Sequence, residues 1–267
     1  MLKQRVITAL LGIPLLIAAI WFDQPIPWFT LMVAIWGLLA AFEFYRMVQA
    51  ARVPPLIYFG LVWVALFIIS PHLNLPHIVP LLLTSAIVLP LVRCLWHPPQ
   101  EAFDSWTWTI AGILYLGWLL SYFVALRGLD DGRNWVFFTL FVIFASDTAA
   151  FFTGRALGRH RLAPHISPGK TWEGAAGGLL GAIVISLCFV LPTPLHLPLH
   201  YGPAVLLGLL VSIFGQLGDL VESLLKRSMA VKDSSHLIPG HGGFLDRIDS
   251  VVFAGAVVYY YVIWVVA

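Results

Sequence analysis

Ser105-Trp106-Thr107-Trp108-Thr109-Ile110-Ala111-Gly112-Ile113-Leu114-Tyr115-Leu116-Gly117-Trp118-Leu119-Leu120-Ser121-Tyr122-Phe123-Val124-Ala125-Leu126 contains no charged residue. Coiled into an α-helix, a run of this length crosses the roughly 30 Å hydrocarbon core of a bilayer. It is one of several. Of the 267 residues, 60% are hydrophobic and only 10% are charged, whereas a soluble domain carries about 25% charged residues. The apolar excess must face something other than water, which excludes soluble enzyme folds, coiled coils and disordered chains. The reading is an all-α, polytopic integral membrane protein. A formal net charge of +2 is too small for a nucleic-acid binder, so the basic residues matter by position.

Nine apolar segments are predicted, at about 5–22, 28–47, 56–70, 77–95, 105–126, 134–154, 174–191, 203–225 and 249–267. They group as spans one to four in residues 1–104 and spans five to nine in residues 105–267. The third is short and only weakly separated from the fourth, so charge decides the count. With nine spans, 13 of the 15 Lys and Arg fall on one side and only Arg127 and Arg133 on the other. Fusing the third and fourth spans would put 6 inside and 9 outside. The positive-inside rule therefore favours nine spans, with the N-terminus and the charged loops cytoplasmic. The first span follows Lys3 and Arg5 but has no clear small-residue cleavage site, so it reads as a retained helix. Prolines lie mostly at span edges, where helices stop. Gly174, Gly178, Gly177 and Gly181 give small-xxx-small spacing in the seventh span, which predicts close helix packing. Cys94 and Cys188 lie in apolar runs without metal-ligand spacing and read as core or lipid-facing thiols.

Ionisable groups inside lipid cost about 2.5–3.5 kcal/mol on insertion scales and are functional candidates by default. Asp147 lies in the sixth span, Asp219 and Glu222 toward the cytoplasmic end of the eighth, and Asp246 and Asp249 where the ninth begins. Glu43 and Arg46, three apart near the end of the second span, are expected to pair with each other. Between the eighth and ninth spans, Lys226, Arg227, Lys232 and Arg247 mix with Gly240, His241, Gly242 and Gly243. Acidic pairs at three-residue spacing suit a hard divalent cation, the basic residues suit phosphates, and the glycines let backbone N–H groups approach phosphate oxygens. Ser167-Pro168-Gly169-Lys170-Thr171-Trp172-Glu173-Gly174 lacks the GxxxxGK[ST] spacing of a P-loop. It offers one lysine with flanking hydroxyls at a helix N-terminus, where anions bind favourably. Glu173 in that first turn also suits the helix dipole.

Ser223-x-Leu225-Lys226-Arg227-x₄-Lys232-Asp233-x₅-Pro239-x-His241-Gly242-Gly243-x₂-Asp246-Arg247-Ile248-Asp249 resembles the signature of phosphatidate cytidylyltransferases, the CDP-diacylglycerol synthases. The likeness extends back to Asp219, to Ser167-Pro168-x-Lys170-Thr171-x-Glu173-Gly174, and to Ser146-Asp147-Thr148-x₂-Phe151 with Gly154 and Gly158. The resemblance implies an inner-membrane enzyme that makes CDP-diacylglycerol and pyrophosphate from CTP and phosphatidic acid with Mg²⁺. It also implies a dimeric all-helical fold and a K⁺ beside the Mg²⁺. On that reading Asp219 and Asp246 hold the metal and Asp249 supports them. Lys170 acts in catalysis, and Ser167, Lys226, Arg227, Lys232, His241, Gly242, Gly243 and Arg247 meet substrate phosphates. Two other readings are another membrane lipid or polyprenol phosphotransferase that uses CTP or a related nucleotide, and a secondary transporter. A transporter would place its charges near the midplane in two matching halves, whereas these gather at one face in the C-terminal half.

Overall fold

The computed structural model describes residues 2–266 except 24, 25, 53, 74, 97, 236 and 238–241, with side chains 2–9, 11, 99 and 100 left aside. The helices are α1 (Leu2–Trp21), α2 (Trp28–Ala51), α3 (Ile57–Ile69), α4 (Ile78–Cys94), α5 (Pro99–Gly112), α6 (Leu119–Arg127), α7 (Gly132–Leu157), α8 (Trp172–Cys188), α9 (Tyr201–Ser228) and α10 (Leu245–Tyr261). A π-helical turn at Ile113–Trp118 joins α5 to α6 without a break, so the quoted run forms one continuous rod. Among the described residues, five helical stretches are long and apolar enough to cross a membrane: Trp28–Ala51, Glu101–Arg127, Gly132–Leu157, Tyr201–Ser228 and Leu245–Val266. Gly12–Trp21, Ile57–His72, Ile78–Cys94 and Trp172–Cys188 are shorter apolar helices. Two prolines depart from the span-edge pattern: Pro14 and Pro90 lie inside α1 and α4. Cys94 and Cys188 are free thiols.

The chain divides into two compact units. The first comprises the residues up to Ala125 together with Met229–Arg247. In it α2 packs against α1, α3, α5 and the π-helical turn. Its buried side includes Phe29, Val33, Ala40, Phe44 and Val48. Tyr45 is fully buried against Gly60 and Gly112, where a Cβ would strike its ring. Its hydroxyl donates to the Thr109 carbonyl at 2.9 Å, satisfying the polar tip.

The second unit comprises Leu126–Ser228 and Ile248–Ala267. Here α7 and α8 lie close along their length. Gly174 meets the Ala150 carbonyl, Gly178 the Ser146 carbonyl, and Gly181 Ala149 and the Ala145 carbonyl. The small-residue spacing in the seventh span thus serves packing, since in lipid close backbone approach replaces the hydrophobic drive for helix association. α9 joins this pair through a hydrogen bond between the Ser146 and Ser212 hydroxyls at 2.7 Å, and Gln216 Nε2 donates to the Ala175 carbonyl at 3.3 Å.

Between α7 and α8 stands a structure the all-α reading did not contain. β1 (Arg161–Ala163) and β2 (Ser167–Thr171) form an antiparallel hairpin that pairs Arg161 with Thr171 and Ala163 with Ser167. β2 runs directly into α8. The Thr171 hydroxyl caps that helix by accepting the Gly174 N–H at 3.1 Å.

Candidate active site

In the second unit four charged side chains from four elements converge. Lys170 on β2 reaches Asp219 on α9, with Nζ 2.7 Å from Oδ2; the side chains are 25% and 33% exposed. The Ser223 hydroxyl, one turn farther along α9, donates to Asp219 Oδ1 at 3.3 Å. Asp147 on α7 and Asp249 on α10 both lie within electrostatic reach of Asp219, and Lys170 also acts on Asp147. α10 comes this close to α9 because Gly218 has no side chain. A Cβ there would sit 2.5 Å from the Asp249 carbonyl oxygen.

The hairpin places Lys170. Glu173 in the first turn of α8 accepts from the His160 ring at 2.6 Å and from the backbone N–H groups of Arg159 and His160 at 3.1 and 3.2 Å. The His160 ring first, then its own backbone N–H and those of Arg159 and His160, hold its carboxyl down at about 2. Arg161 Nη1 donates to the Pro168 carbonyl at 2.7 Å, which ties the two strands together.

The expected phosphate ligands of α9 are engaged within the unit. Lys226 Nζ lies 2.5 Å from Glu222 Oε2, and Glu222 is fully buried. Arg227 Nε donates to the Ile166 carbonyl at 3.3 Å, so it braces the tip of the hairpin. Ser167 opens β2, three residues before Lys170.

In the first unit, Asp246 lies in the first turn of α10. Its Oδ2 accepts from the Gly243 N–H at 2.8 Å, the Ser234 N–H at 3.2 Å and the Ser234 hydroxyl at 3.1 Å. Gly242 takes φ +80°, a left-handed conformation that L side chains rarely adopt. Gly243 is buried, and a Cβ on it would collide with the Ser234 hydroxyl and Glu43. Lys232 and Arg247 are exposed. His241, with Pro239 and Gly240, lies outside the described residues.

One expectation fails here. Glu43 does not pair with Arg46, whose Nη1 donates to Gln49 Oε1 at 3.3 Å. Glu43 instead accepts hydrogen bonds from Ser234, Ser235, Phe244 and Leu245. Spacing along a helix shows only local partners, and these lie about two hundred residues away in sequence. Asp147 is the opposite case: its charge within an apolar run is visible in the sequence, but its neighbours are not.

Among the described residues no three His, Cys, Asp or Glu side chains close on a single metal position. The donors of the second unit nevertheless fit Mg²⁺ in kind. They are hard carboxylate oxygens, and Mg²⁺ is usually held by one or two carboxylates with waters and substrate phosphates completing its shell.

The cytidylyltransferase family model matches residues 3–265. The phosphatidate cytidylyltransferase of Bacillus subtilis (strain 168) is 37% identical over 269 residues, covering 97% of each chain. The phosphatidate cytidylyltransferase of Brucella suis biovar 1 (strain 1330) is 44% identical over 153 residues, 57% of this chain and 56% of its own. The chloroplastic phosphatidate cytidylyltransferase 5 of Arabidopsis thaliana is 36% identical over 266 residues, 88% of this chain and 65% of its own. The chain belongs to the cytidylyltransferase family.

Proposed function

We infer that this membrane protein is a phosphatidate cytidylyltransferase, joining CTP and phosphatidic acid to give CDP-diacylglycerol and pyrophosphate in phospholipid biosynthesis. A phosphate oxygen of phosphatidic acid forms a bond to the α-phosphorus of CTP. The bond from that phosphorus to the bridging oxygen breaks, and the electron pair leaves with pyrophosphate. The nucleophile is already anionic near neutral pH, so no strong base is required. The difficulty is electrostatic, because two polyanions must meet and charge grows on the α-phosphate and the departing group.

The observation that carries the site assignment is Lys170 held 2.7 Å from Asp219, with Asp147 and Asp249 acting on the same carboxylate. Lys170 supplies a fixed cation for phosphate charge, and Asp219 holds that cation where phosphate must come. Asp219 and Asp246 are assigned to Mg²⁺ on the sequence pattern, with Asp249 in support. A bound Mg²⁺ would neutralise phosphate oxygens, and K⁺ beside it would add to that effect. Ser167, Lys232, His241, Gly242, Gly243 and Arg247 are assigned to substrate phosphates. Lys226 and Arg227 join them by exchanging their present partners for substrate.

The nine-span topology belongs to the same proposal. It has the N-terminus and both motif segments in the cytoplasm, where CTP is found, and places the protein in the inner membrane as a homodimer. The test uses membranes containing the protein, given CTP labelled in the cytosine ring and phosphatidic acid. Label enters chloroform-extractable lipid with the wild-type chain and not with Asp219→Asn or Asp246→Asn inserted at equal level. Lipid labelling no higher than in membranes without the protein overturns the assignment of function. Full labelling by either variant overturns that carboxylate's role.

A further inference from the structure

We propose that Glu43 is a positioning residue for the reaction: from α2 it fixes Ser234, and through Ser234 the carboxylate of Asp246. The proposal rests on the reading that Asp246 serves the chemistry. All of these groups belong to the first unit.

Glu43 is 2% exposed. A buried carboxylate carries a large desolvation penalty unless its lone pairs are met. Here all four lone-pair positions face a donor. Oε1 accepts from the Ser235 hydroxyl at 2.6 Å and the Phe244 N–H at 3.0 Å. Oε2 accepts from the Ser234 hydroxyl at 2.9 Å and the Leu245 N–H at 2.9 Å. The N–H groups of Phe244 and Leu245 are among those that the start of α10 leaves without intrahelical partners, and the positive end of the helix favours an anion there. A remote helix therefore does what a local cap residue ordinarily does, and the segment is tied to α2 as a result. The Trp36 and Phe244 rings, 6.5 Å apart, add an apolar contact to the same junction.

The Ser234 hydroxyl extends the effect to Asp246. It stands 2.9 Å from Glu43 Oε2 and 3.1 Å from Asp246 Oδ2, and the Ser234 N–H reaches that same Oδ2 at 3.2 Å. The hydroxyl has one proton and can donate to only one carboxylate at a time, so the two carboxylates share it. If Glu43 only stapled the loop, Ser234 and Ser235 would be equivalent. They are not, because Ser234 alone of the two touches Asp246.

Two acceptor oxygens are essential at position 43. Each oxygen faces a backbone N–H that cannot turn away. Glu43→Gln keeps the shape but must point an NH₂ at one of these donors, whichever way the amide is turned. Outer-shell partners of site residues typically cost about 10- to 100-fold in activity when removed. In the full-length purified protein, Glu43→Gln should lower kcat by that factor and leave the KM for CTP little changed. Ser234→Ala should also lower kcat, while Ser235→Ala, which spares the bridge, should not. Adding Glu43→Gln to Ser234→Ala should cost much less than in the wild-type background, because the two act in series.

With Asp246→Asn measured alongside, the failures separate. An active Asp246→Asn overturns the role of Asp246 itself. An inactive Asp246→Asn beside wild-type kcat in Glu43→Gln and Ser234→Ala overturns the positioning role. If Glu43→Gln does not fold, the serines decide: equal kcat in Ser234→Ala and Ser235→Ala overturns the proposal.

Discussion

Removing the Lys170 amine separates two ways a cation can serve this reaction. Lys170→Ala deletes the ammonium but leaves the β2 backbone and the Thr171 cap of α8, so the hairpin should still form. A hydrogen bond to a charged group contributes about 1.5–3 kcal/mol. Because Lys170 and Asp219 are 25% and 33% exposed, solvent screens the pair and favours the lower part of that range. A phosphate oxygen that takes over the ammonium during the reaction should gain a similar amount, about 2 kcal/mol, which corresponds to about 30-fold in rate. If Lys170 meets charge that appears only in the transition state, the loss falls on kcat; if it only attracts CTP, it falls on KM. The start of α8 already attracts anions, so an added fixed cation is most useful where new charge develops. The loss should therefore appear in kcat. Lys170→Arg should recover little, since a planar guanidinium does not replace a compact ammonium 2.7 Å from one carboxylate oxygen. Steady-state kinetics in mixed micelles at saturating phosphatidic acid measure both constants. An unchanged kcat with a raised KM in Lys170→Ala would mean that Lys170 attracts CTP without stabilising the transition state.

Gly218→Ala should destabilise the protein by about 1–3 kcal/mol through overpacking, because the new Cβ falls 2.5 Å from the Asp249 carbonyl oxygen. Thermal unfolding and turnover at wild-type values would count against the close approach of α9 and α10. Glu173, held down at about 2, has a folded value below the roughly 4.3 of an unfolded glutamate. Its hold on the hairpin is therefore complete above about pH 4 and is lost as the pH falls through about 2. A spin label on His165→Cys should become mobile only in that acid range, whereas adding Glu173→Gln should free it at neutral pH as well. A label equally immobile in both proteins at all pH values contradicts this. Ala163→Cys, in a background lacking Cys94 and Cys188, should resist an impermeant thiol reagent applied outside intact cells. Labelling from outside would overturn the proposed orientation.

The apolar segments are legible in the sequence because a bilayer demands long uncharged runs, and Ser105–Leu126 does form one unbroken rod across its π-helical turn. The hairpin is not legible. Its strands are Arg-Leu-Ala and Ser-Pro-Gly-Lys-Thr, which carry proline and glycine and show no apolar alternation. They are held by each other, by Arg161 on the Pro168 carbonyl and by the joint with α8, none of which is a local propensity. In the site, charge within apolar spans marks Asp147, Asp219 and Asp249 as candidates, and the structure brings Asp147, Asp249 and Lys170 to Asp219. The partners of Glu43 escape because a carboxylate three residues from an arginine suggests an ion pair. Satisfying four neutral donors on a distant segment leaves no pattern along its own helix.

In cytidylyl transfer the α-phosphorus of CTP becomes part of the lipid. Purified protein given phosphatidic acid and Mg²⁺ should be supplied in parallel with CTP labelled at the α-phosphorus and at the γ-phosphorus. α-Label should appear in chloroform-extractable lipid and γ-label only in pyrophosphate, with neither transfer in Asp219→Asn. Label from the γ-phosphorus in the lipid, with none from the α-phosphorus, would identify a CTP-dependent lipid kinase and rule out cytidylyl transfer.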